Sequence, residues 1–142
     1  MLRALAASAA FLGVGFILSG GALVIAPVAQ AETAPPPYVQ RAEWAKWGDL
    51  SSLRVYPTPA GRATAAQLGP VAAGQEAWGE VLALSPDADI PGMREQFFCH
   101  WTFAEVAEPG KVSWNLEPWR PEVTDTEMVN AGCNPGGTEE PF

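Results

Sequence analysis

Apolar and polar residues alternate along two runs near the start of the folded part of the chain. The first is "YVQRAEWAKW" at 38–47 and the second is "SLRVYPT" at 52–58, with "GDLS" between them. Alternation with a period of two is typical of strands, and Gly, Asp and Ser are typical of turns. The pattern therefore predicts a β-hairpin, although Trp44 and Trp47 stand three residues apart, which is helical spacing.

Two later runs place apolar residues at helical spacing, beyond a Gly- and Pro-containing stretch at 58–70 that predicts a loop or irregular crossover. The run at 71–85 predicts a helix with apolar positions Val71, Trp78, Val81, Leu82 and Leu84. A second helix is predicted to begin near Pro91, because proline suits a first helical turn. Its apolar stripe is Met93, Phe97, Trp101 and Ala104.

The run "VSWNLE" at 112–117 alternates again and predicts a short strand. Val112, Trp114 and Leu116 share its apolar face, so the polar residues between them should lie on the opposite face. Pro118 and Pro121 follow closely, and proline is confined to the edges or ends of sheets.

A capping box predicts one more short helix before the second cysteine. Thr124 is followed three residues later by Glu127, the spacing at which the two side chains and backbone N–H groups satisfy each other. Met128 and Val129 are expected to face inward, and Gly132 suits the C-terminal cap. Strands and helices are thus mixed without βαβ regularity. This order predicts a small single α+β domain, with a short antiparallel sheet packed against two or three helices.

The first 31 residues have the parts of a secretory signal peptide. "MLR" supplies a positive charge, an apolar run extends from Ala4 to Ile25, and Ala29 and Ala31 form a small-residue cleavage site. We therefore expect Sec-type export, with cleavage after Ala31, to the extracellular space or the cell envelope. The apolar run approaches the roughly 20 residues that span a bilayer, so an uncleaved N-terminal anchor is the alternative.

The rest of the chain divides into three parts. A Pro-rich leader occupies 32–37, the domain proper occupies 38–133, and a flexible tail occupies 134–142. The tail lacks apolar periodicity, and no internal repeat is visible. No second apolar run follows the first, so the chain is expected to have no membrane span once the signal peptide is cleaved.

Charge limits the partners that the protein can take. The chain has 8 Lys and Arg residues against 16 Asp and Glu residues, and its formal net charge is −8. Binding to nucleic acid or to anionic headgroups needs clustered Lys and Arg, and the sequence contains no such cluster. We expect the protein to be a monomer that does not bind nucleic acid. Its expected partner is an envelope or extracellular protein, peptide or glycan.

The chain has two cysteines, Cys99 and Cys133. In an exported chain an even, minimal pair is most simply one disulfide. The bond would close a loop of about 35 residues and stabilise the fold by about 3–4 kcal/mol if it acts on chain entropy. Free thiols or metal ligands are the alternative.

Catalytic signals are weak. His100 is the only histidine, and the sequence lacks the G-x-S-x-G, H-E-x-x-H and C-x-x-C patterns. We therefore expect His100 to be structural or hydrogen-bonded, with no catalytic residue, metal or cofactor. Paired carboxylates suffice for glycoside hydrolysis. Glu105 and Glu117 are the candidate pair, because Trp114 and Pro118 give Glu117 a stiff and partly apolar setting. The large number of acids in the chain favours solvated surface positions for both residues over this catalytic interpretation.

The segment "EPWRP" at 117–121 is the main binding candidate. Glu117 and Arg120 each precede a proline and are held extended. If the strand continues, its alternation carries Trp119 to the face opposite the core, so the segment would display Trp119 and Arg120. An aromatic ring beside an Arg is typical of recognition surfaces. The alternative is a clasp, in which Arg120 contacts Trp119 or a glutamate and seals the fold.

Four strings, "VYPTPAGR", "QFFCHWTFAE", "WNLEPWRP" and "GCNPG", occur in this order over about 39–137. With them the chain resembles a family of secreted actinobacterial domains of unknown function that carries a CH…WNLEPWRP…CNP signature. The resemblance implies export, a single small domain and a paired Cys99 and Cys133. It implies no activity that can be assigned to particular residues.

These observations favour a non-catalytic, secreted or cell-envelope-associated module that binds a protein, peptide or glycan. The expected binding residues are His100, Glu117, Trp119 and Arg120. The alternative is a small cell-envelope hydrolase that acts through carboxylates. A small inhibitor or toxin-like effector is a third class.

Overall fold

The structure, a computed structural model, describes residues 33–137. The predicted signal peptide at 1–31 and the end of the predicted tail at 138–142 lie outside the described residues. The elements are β1 (Val39–Trp47), β2 (Leu50–Pro57), α1 (Pro59–Ala65), α2 (Val71–Leu84), α3 (Met93–Ala107), β3 (Trp114–Leu116) and α4 (Asp125–Asn130). One turn of 3-10 helix, Pro86–Ala88, lies between α2 and α3. No helix within 33–137 is long and apolar enough to cross a membrane.

The three strands form one antiparallel sheet in the order β1-β2-β3. Trp44 of β1 and Leu116 of β3 lie on either side of Leu53 in the central strand. Leu53 and Val55 are fully buried on one face of that strand. The predicted hairpin and the α+β class are therefore confirmed.

Helix α3 supplies the centre of the core. The four residues of its predicted apolar stripe are all buried, and they are Met93, Phe97, Trp101 and Ala104. The ring of Trp101 meets that of Trp114 edge to face, with centroids 6.0 Å apart, and the ring of Trp78 lies 5.4 Å from that of Phe97. The prediction that Trp78, Trp101 and Trp114 are core residues is confirmed. Such aromatic pairs add about 0.5–1.5 kcal/mol each beyond the area that they bury.

The stretch at 58–70 was predicted as a loop, and this prediction is wrong because it contains helix α1. Thr58 caps the helix, since its Oγ1 accepts a hydrogen bond from the Gly61 N–H at 2.9 Å. The glycine itself is required by packing rather than by a turn. A Cβ at Gly61 would lie 2.2 Å from the carbonyl oxygen of Tyr38.

Four apolar residues that were expected to face inward are exposed. Val71 and Leu84 are the first and last residues of α2. Val112 precedes β3, which begins only at Trp114. Val129 follows the buried Met128 on α4, and one residue turns a helix by about 100°, so the two side chains face different ways.

Both faces of β3 are buried, which corrects the expectation of a polar, solvent-facing side. Asn115 is 7% exposed and Glu117, just beyond the strand, is 0% exposed. The buried polar side of β3 is where the candidate site residues meet.

The disulfide and the last helix agree with the sequence. Cys99 on α3 is bonded to Cys133, with their Cα atoms 5.5 Å apart. The predicted capping box at the start of α4 is present: the Thr124 side chain accepts from the Glu127 N–H, and the Glu127 carboxylate accepts from Thr124 N–H. The hydrogen bonds that the Thr124 N–H and the Thr124 hydroxyl donate to the Glu127 carboxylate lower the pKa of Glu127. The disulfide thus ties the chain just after α4 to the central helix.

Candidate functional site

A buried ion pair lies at the centre of the segment that was predicted to be a binding strip. Arg120 Nε donates to Glu117 Oε2 at 2.7 Å, and both side chains are fully buried. The other carboxylate oxygen accepts from the Ser52 hydroxyl at 2.9 Å. We call Ser52, Gln96, Glu117 and Arg120 the polar clasp.

Gln96 on α3 joins the clasp to the central helix. Its side-chain amide donates to the Glu117 carbonyl at 3.0 Å and its amide oxygen accepts from the Glu117 N–H at 2.9 Å. The Gln96 side chain therefore hydrogen-bonds to both the N–H and the carbonyl of Glu117, as the backbone of a neighbouring strand would. His100, one turn further along α3, is 3% exposed, and its Nδ1 lies 2.8 Å from the Gln96 carbonyl. Because a carbonyl only accepts, Nδ1 carries the hydrogen and donates.

Arg120 also reaches the chain beyond the disulfide. Its Nη1 donates to the carbonyls of Pro135 and Gly137 at 3.1 and 3.0 Å. These acceptors belong to the first residues of the stretch predicted as a tail. The guanidinium lies 4.6 Å from the ring centroid of Trp119, a cation–π distance. One arginine therefore connects the segment after β3 with the residues that follow Cys133.

The prediction that Arg120 is displayed to solvent is therefore wrong. The structure contains the alternative arrangement, in which Arg120 is part of a buried clasp. The strand ends at Leu116, and Arg120 N–H donates to the Glu117 carbonyl at 3.2 Å across a turn formed by Pro118 and Trp119. The alternation of a strand does not apply beyond that point, because the turn brings the first and fourth residues together. Trp119 is partly exposed, and its indole N–H donates to the Ser51 carbonyl at 3.1 Å.

The two carboxylates named for hydrolysis are engaged with different arginines. The oxygens of Glu105 accept hydrogen bonds from Arg62 Nη1 and, at 3.1 Å, from the Gly110 N–H. Those of Glu117 accept from Ser52 and Arg120. Both oxygens of each acid therefore already have protein donors, and no observation favours a shared catalytic role. The hydrolase stays an untested prediction.

An open groove lies at the tip of the hairpin, next to the clasp. It has a volume of about 410 Å³, and its lining consists of Trp44, Lys46, Ser51, Asp87, Ile90 and Pro118. We call it the hairpin groove. Trp44 and Lys46 are two residues apart on β1 and share a face, and Ser51 lies opposite Lys46 in the register. Asp87 and Ile90 come from the connection between α2 and α3, and Pro118 comes from the turn held by the clasp.

A relay of hydrogen bonds fixes one wall of the hairpin groove. The Trp44 indole N–H donates to Ser85 Oγ at 3.0 Å, and the Ser85 hydroxyl donates to Asp87 Oδ1 at 2.6 Å. The hydrogen bonds from Ser85 and Trp44 lower the pKa of Asp87, so its carboxylate is ionised at neutral pH. Among the residues at 33–137, Lys46 makes no ion pair, and its side chain is exposed.

A second groove, of about 330 Å³, lies between α3 and α4 beside the disulfide. Its lining is Arg94, Glu95, Phe98, Cys99, Phe103, Asp125, Met128 and Val129. Arg94, the cationic residue of this lining, already interacts with the protein, because its guanidinium lies 4.5 Å from the ring centroid of Phe98. Within the described range, no group of three or more His, Cys, Asp or Glu residues could hold a metal ion.

Sequence reasoning named two residues of the clasp, Glu117 and Arg120, but missed Ser52, Gln96 and most of the hairpin groove. Glu117, Arg120 and His100 do converge around Gln96, yet all three are buried. A signal for part of the groove was present, because the alternation along β1 puts Trp44 and Lys46 on one face. Nothing in the sequence places Asp87 and Ile90 beside them.

Comparisons with known proteins identify a family of unknown function and uncharacterized relatives. A family described as "Protein of unknown function (DUF2599)" matches residues 39–136. An uncharacterized protein of Mycobacterium tuberculosis is 61% identical over 107 residues, which cover 75% of this chain and 72% of the relative. An uncharacterized protein of Mycobacterium leprae is 52% identical over 103 residues, or 72% of this chain and 83% of the relative. No solved structure matches the chain.

Proposed function

The chain belongs to the DUF2599 family of proteins of unknown function, and we propose that it is a secreted or cell-envelope-associated, non-catalytic binding module. The hairpin groove is the proposed binding site, and its ligand is a protein segment, peptide or glycan of the envelope. The buried polar clasp, with His100 beside it, supports the groove from behind and does not contact the ligand. Trp119 holds one of its walls.

The observation that carries the proposal is the composition of the hairpin groove. An aromatic ring and two apolar side chains, those of Trp44, Ile90 and Pro118, line it together with one cation, one anion and one hydroxyl. Small-ligand sites are typically concave and mostly apolar, with a few placed polar groups, and have volumes of about 300–1,000 Å³. The groove has these properties, whereas the polar groups of the clasp are directed at one another.

The clasp keeps the walls of the groove in place. The Glu117–Arg120 pair closes the turn that carries Pro118 into the lining, and Trp119 is hydrogen-bonded to the Ser51 backbone on the opposite wall. Binding sites are most precise when rigid elements and their hydrogen bonds hold the contacting residues. This gives the buried residues a positioning role in binding.

Export is part of the proposal. The signal-like segment at 1–31 supports it, and so does the Cys99–Cys133 disulfide, since disulfides persist mainly in oxidising compartments outside the cytosol. The net charge of −8 favours an uncharged or cationic partner over an anionic one.

The first test is binding to an insoluble mycobacterial cell-envelope fraction, measured by sedimentation with protein purified from cells that express the full chain. We expect Trp44→Leu and Lys46→Glu to lose most of the binding, because the first removes the aromatic ring of the hairpin groove and the second replaces its cationic donor with an anion. Trp47→Leu is the matched control, since Trp47 is a 57% exposed tryptophan on the same strand that does not line the groove.

Thermal unfolding of each variant separates a lost contact from a lost fold. Lys46 is exposed, so Lys46→Glu should keep the melting temperature of the wild type even if Trp44→Leu lowers it. The proposal fails if the wild type does not sediment with the envelope, or if folded Lys46→Glu and Trp44→Leu proteins bind as well as Trp47→Leu.

A further inference from the structure

We propose that the hairpin groove binds a neutral pyranose ring within a glycan chain. This inference rests on the proposed function and names the ligand class for the same site. It follows from what each side of the groove offers to a ligand.

The floor of the groove offers an apolar aromatic surface. The only N–H of the Trp44 side chain is already donated to Ser85 Oγ at 3.0 Å, so the ring offers a ligand its aromatic carbon surface rather than a donor. Ile90 and Pro118 extend this surface. A pyranose ring has a face of C–H groups that lies flat on an aromatic ring, because the ring face carries partial negative charge and C–H hydrogens carry partial positive charge.

The rim of the groove offers both a donor and an acceptor. Lys46 has three N–H donors, the Asp87 carboxylate is an acceptor, and the Ser51 hydroxyl can be either. Asp87 comes from the connection before α3, whereas Lys46 and Ser51 come from the hairpin, so the polar groups stand on different walls. Sugar hydroxyls donate and accept at once, and therefore match a rim of this mixed kind.

The charges of the lining favour a neutral sugar over an anionic one. One Lys and one Asp balance each other, and the whole chain carries a net charge of −8. Phosphate and carboxylate ligands are recognised by Arg and Lys clusters, which the groove does not have. A uronic acid or a phosphorylated glycan would meet an overall repulsive field.

The position of the groove argues against a peptide strand as ligand. Peptides that add to a sheet need a free strand edge, whereas the groove is lined by Trp44 and Lys46, which lie on one face of β1. Proline-rich peptides dock into grooves lined by several aromatic rings, and Trp44 is the one aromatic residue in this lining at 33–137.

The test is an NMR titration of the isotope-labelled protein with chitotetraose, cellotetraose and maltotetraose, each a neutral tetrasaccharide. We expect at least one of them to bind saturably and to shift the indole N–H resonance of Trp44. Asp87→Asn should weaken that binding about 10-fold, because a hydrogen bond to a charged group becomes one to a neutral group. The matched control is Asp89→Asn, since Asp89 is an exposed aspartate two residues away that does not line the groove.

Two further probes separate failure of this inference from failure of the proposed function. Tetragalacturonic acid, the anionic probe, should bind more weakly than the neutral sugars, and a hexaproline peptide should not bind at the groove. If hexaproline or the anionic sugar shifts groove resonances instead, the groove is a binding site but the ligand class is wrong. If none of the three neutral sugars binds, or if Asp87→Asn and Asp89→Asn bind equally, the inference is overturned. If the wild type does not bind the envelope fraction, the proposed function as a binding module is itself overturned.

Discussion

Replacing Arg120 with alanine should lower the free energy of unfolding by about 3–5 kcal/mol, the usual cost of removing one partner of a buried ion pair. The variant leaves the Glu117 carboxylate buried at 0% exposure without the guanidinium that balances its charge, although the Ser52 hydroxyl still donates to it. It also removes the donors to the Pro135 and Gly137 carbonyls. For a domain whose total stability is about 5–15 kcal/mol, this loss is severe.

Urea unfolding with the disulfide intact measures the effect, and two variants calibrate it. Arg41→Ala breaks the exposed pair of Arg41 with Glu43, whose side chains are 45% and 58% exposed, and should cost less than about 1 kcal/mol. The double variant Glu117→Gln, Arg120→Met leaves no unpaired charge and should be more stable than Arg120→Ala. If Arg120→Ala costs no more than Arg41→Ala, the clasp does not hold this part of the fold.

Removal of the disulfide by the double substitution Cys99→Ala, Cys133→Ala should cost about 3–4 kcal/mol. The bond joins residues 34 positions apart, and breaking it restores the entropy of that loop to the unfolded chain. It also frees the residues beyond Cys133 whose carbonyls hold Arg120, so the native clasp should loosen as well. The change is measured as the shift of the urea midpoint.

Reductant provides the control for this second prediction. It should lower the urea midpoint of the wild type to that of the double variant and leave the double variant unchanged. Both cysteines are 6–7% exposed, and the native protein should give no reaction with a thiol-labelling reagent. A wild type whose midpoint does not respond to reductant would show that the bond contributes no stability.

Short-range patterns in the sequence predict most of the fold. The spacing of Met93, Phe97 and Trp101 identified the buried side of α3, and the Thr124 capping box located the start of α4. These succeed because periodicity and caps depend on neighbours within a turn or two. Helix α1 was missed because Gly61 was interpreted as a chain breaker, when it is a contact point for a backbone 23 residues earlier in the chain at Tyr38.

The clasp and the groove depend on contacts that no local pattern records. The amide of Gln96 pairs with the backbone of Glu117, 21 residues away, and Ser52 reaches the same residue across 65 positions. The assumption that the chain runs on as an extended strip past Leu116 placed Trp119 and Arg120 in solvent, whereas the turn at Pro118 and Trp119 returns Arg120 to the protein. Glu117 and Arg120 could be named from the sequence, but their burial and their partners Ser52 and Gln96 could not be predicted.

The central claim is that the hairpin groove contacts the ligand while the buried clasp only supports it. Chemical-shift mapping of the isotope-labelled protein with soluble fragments of a digested mycobacterial envelope tests this most directly. The account predicts shifts concentrated at the groove residues Trp44, Lys46, Ser51, Asp87 and Ile90. Shifts concentrated at the α3–α4 groove, around Phe103 and Val129, or no shifts at all, would contradict it.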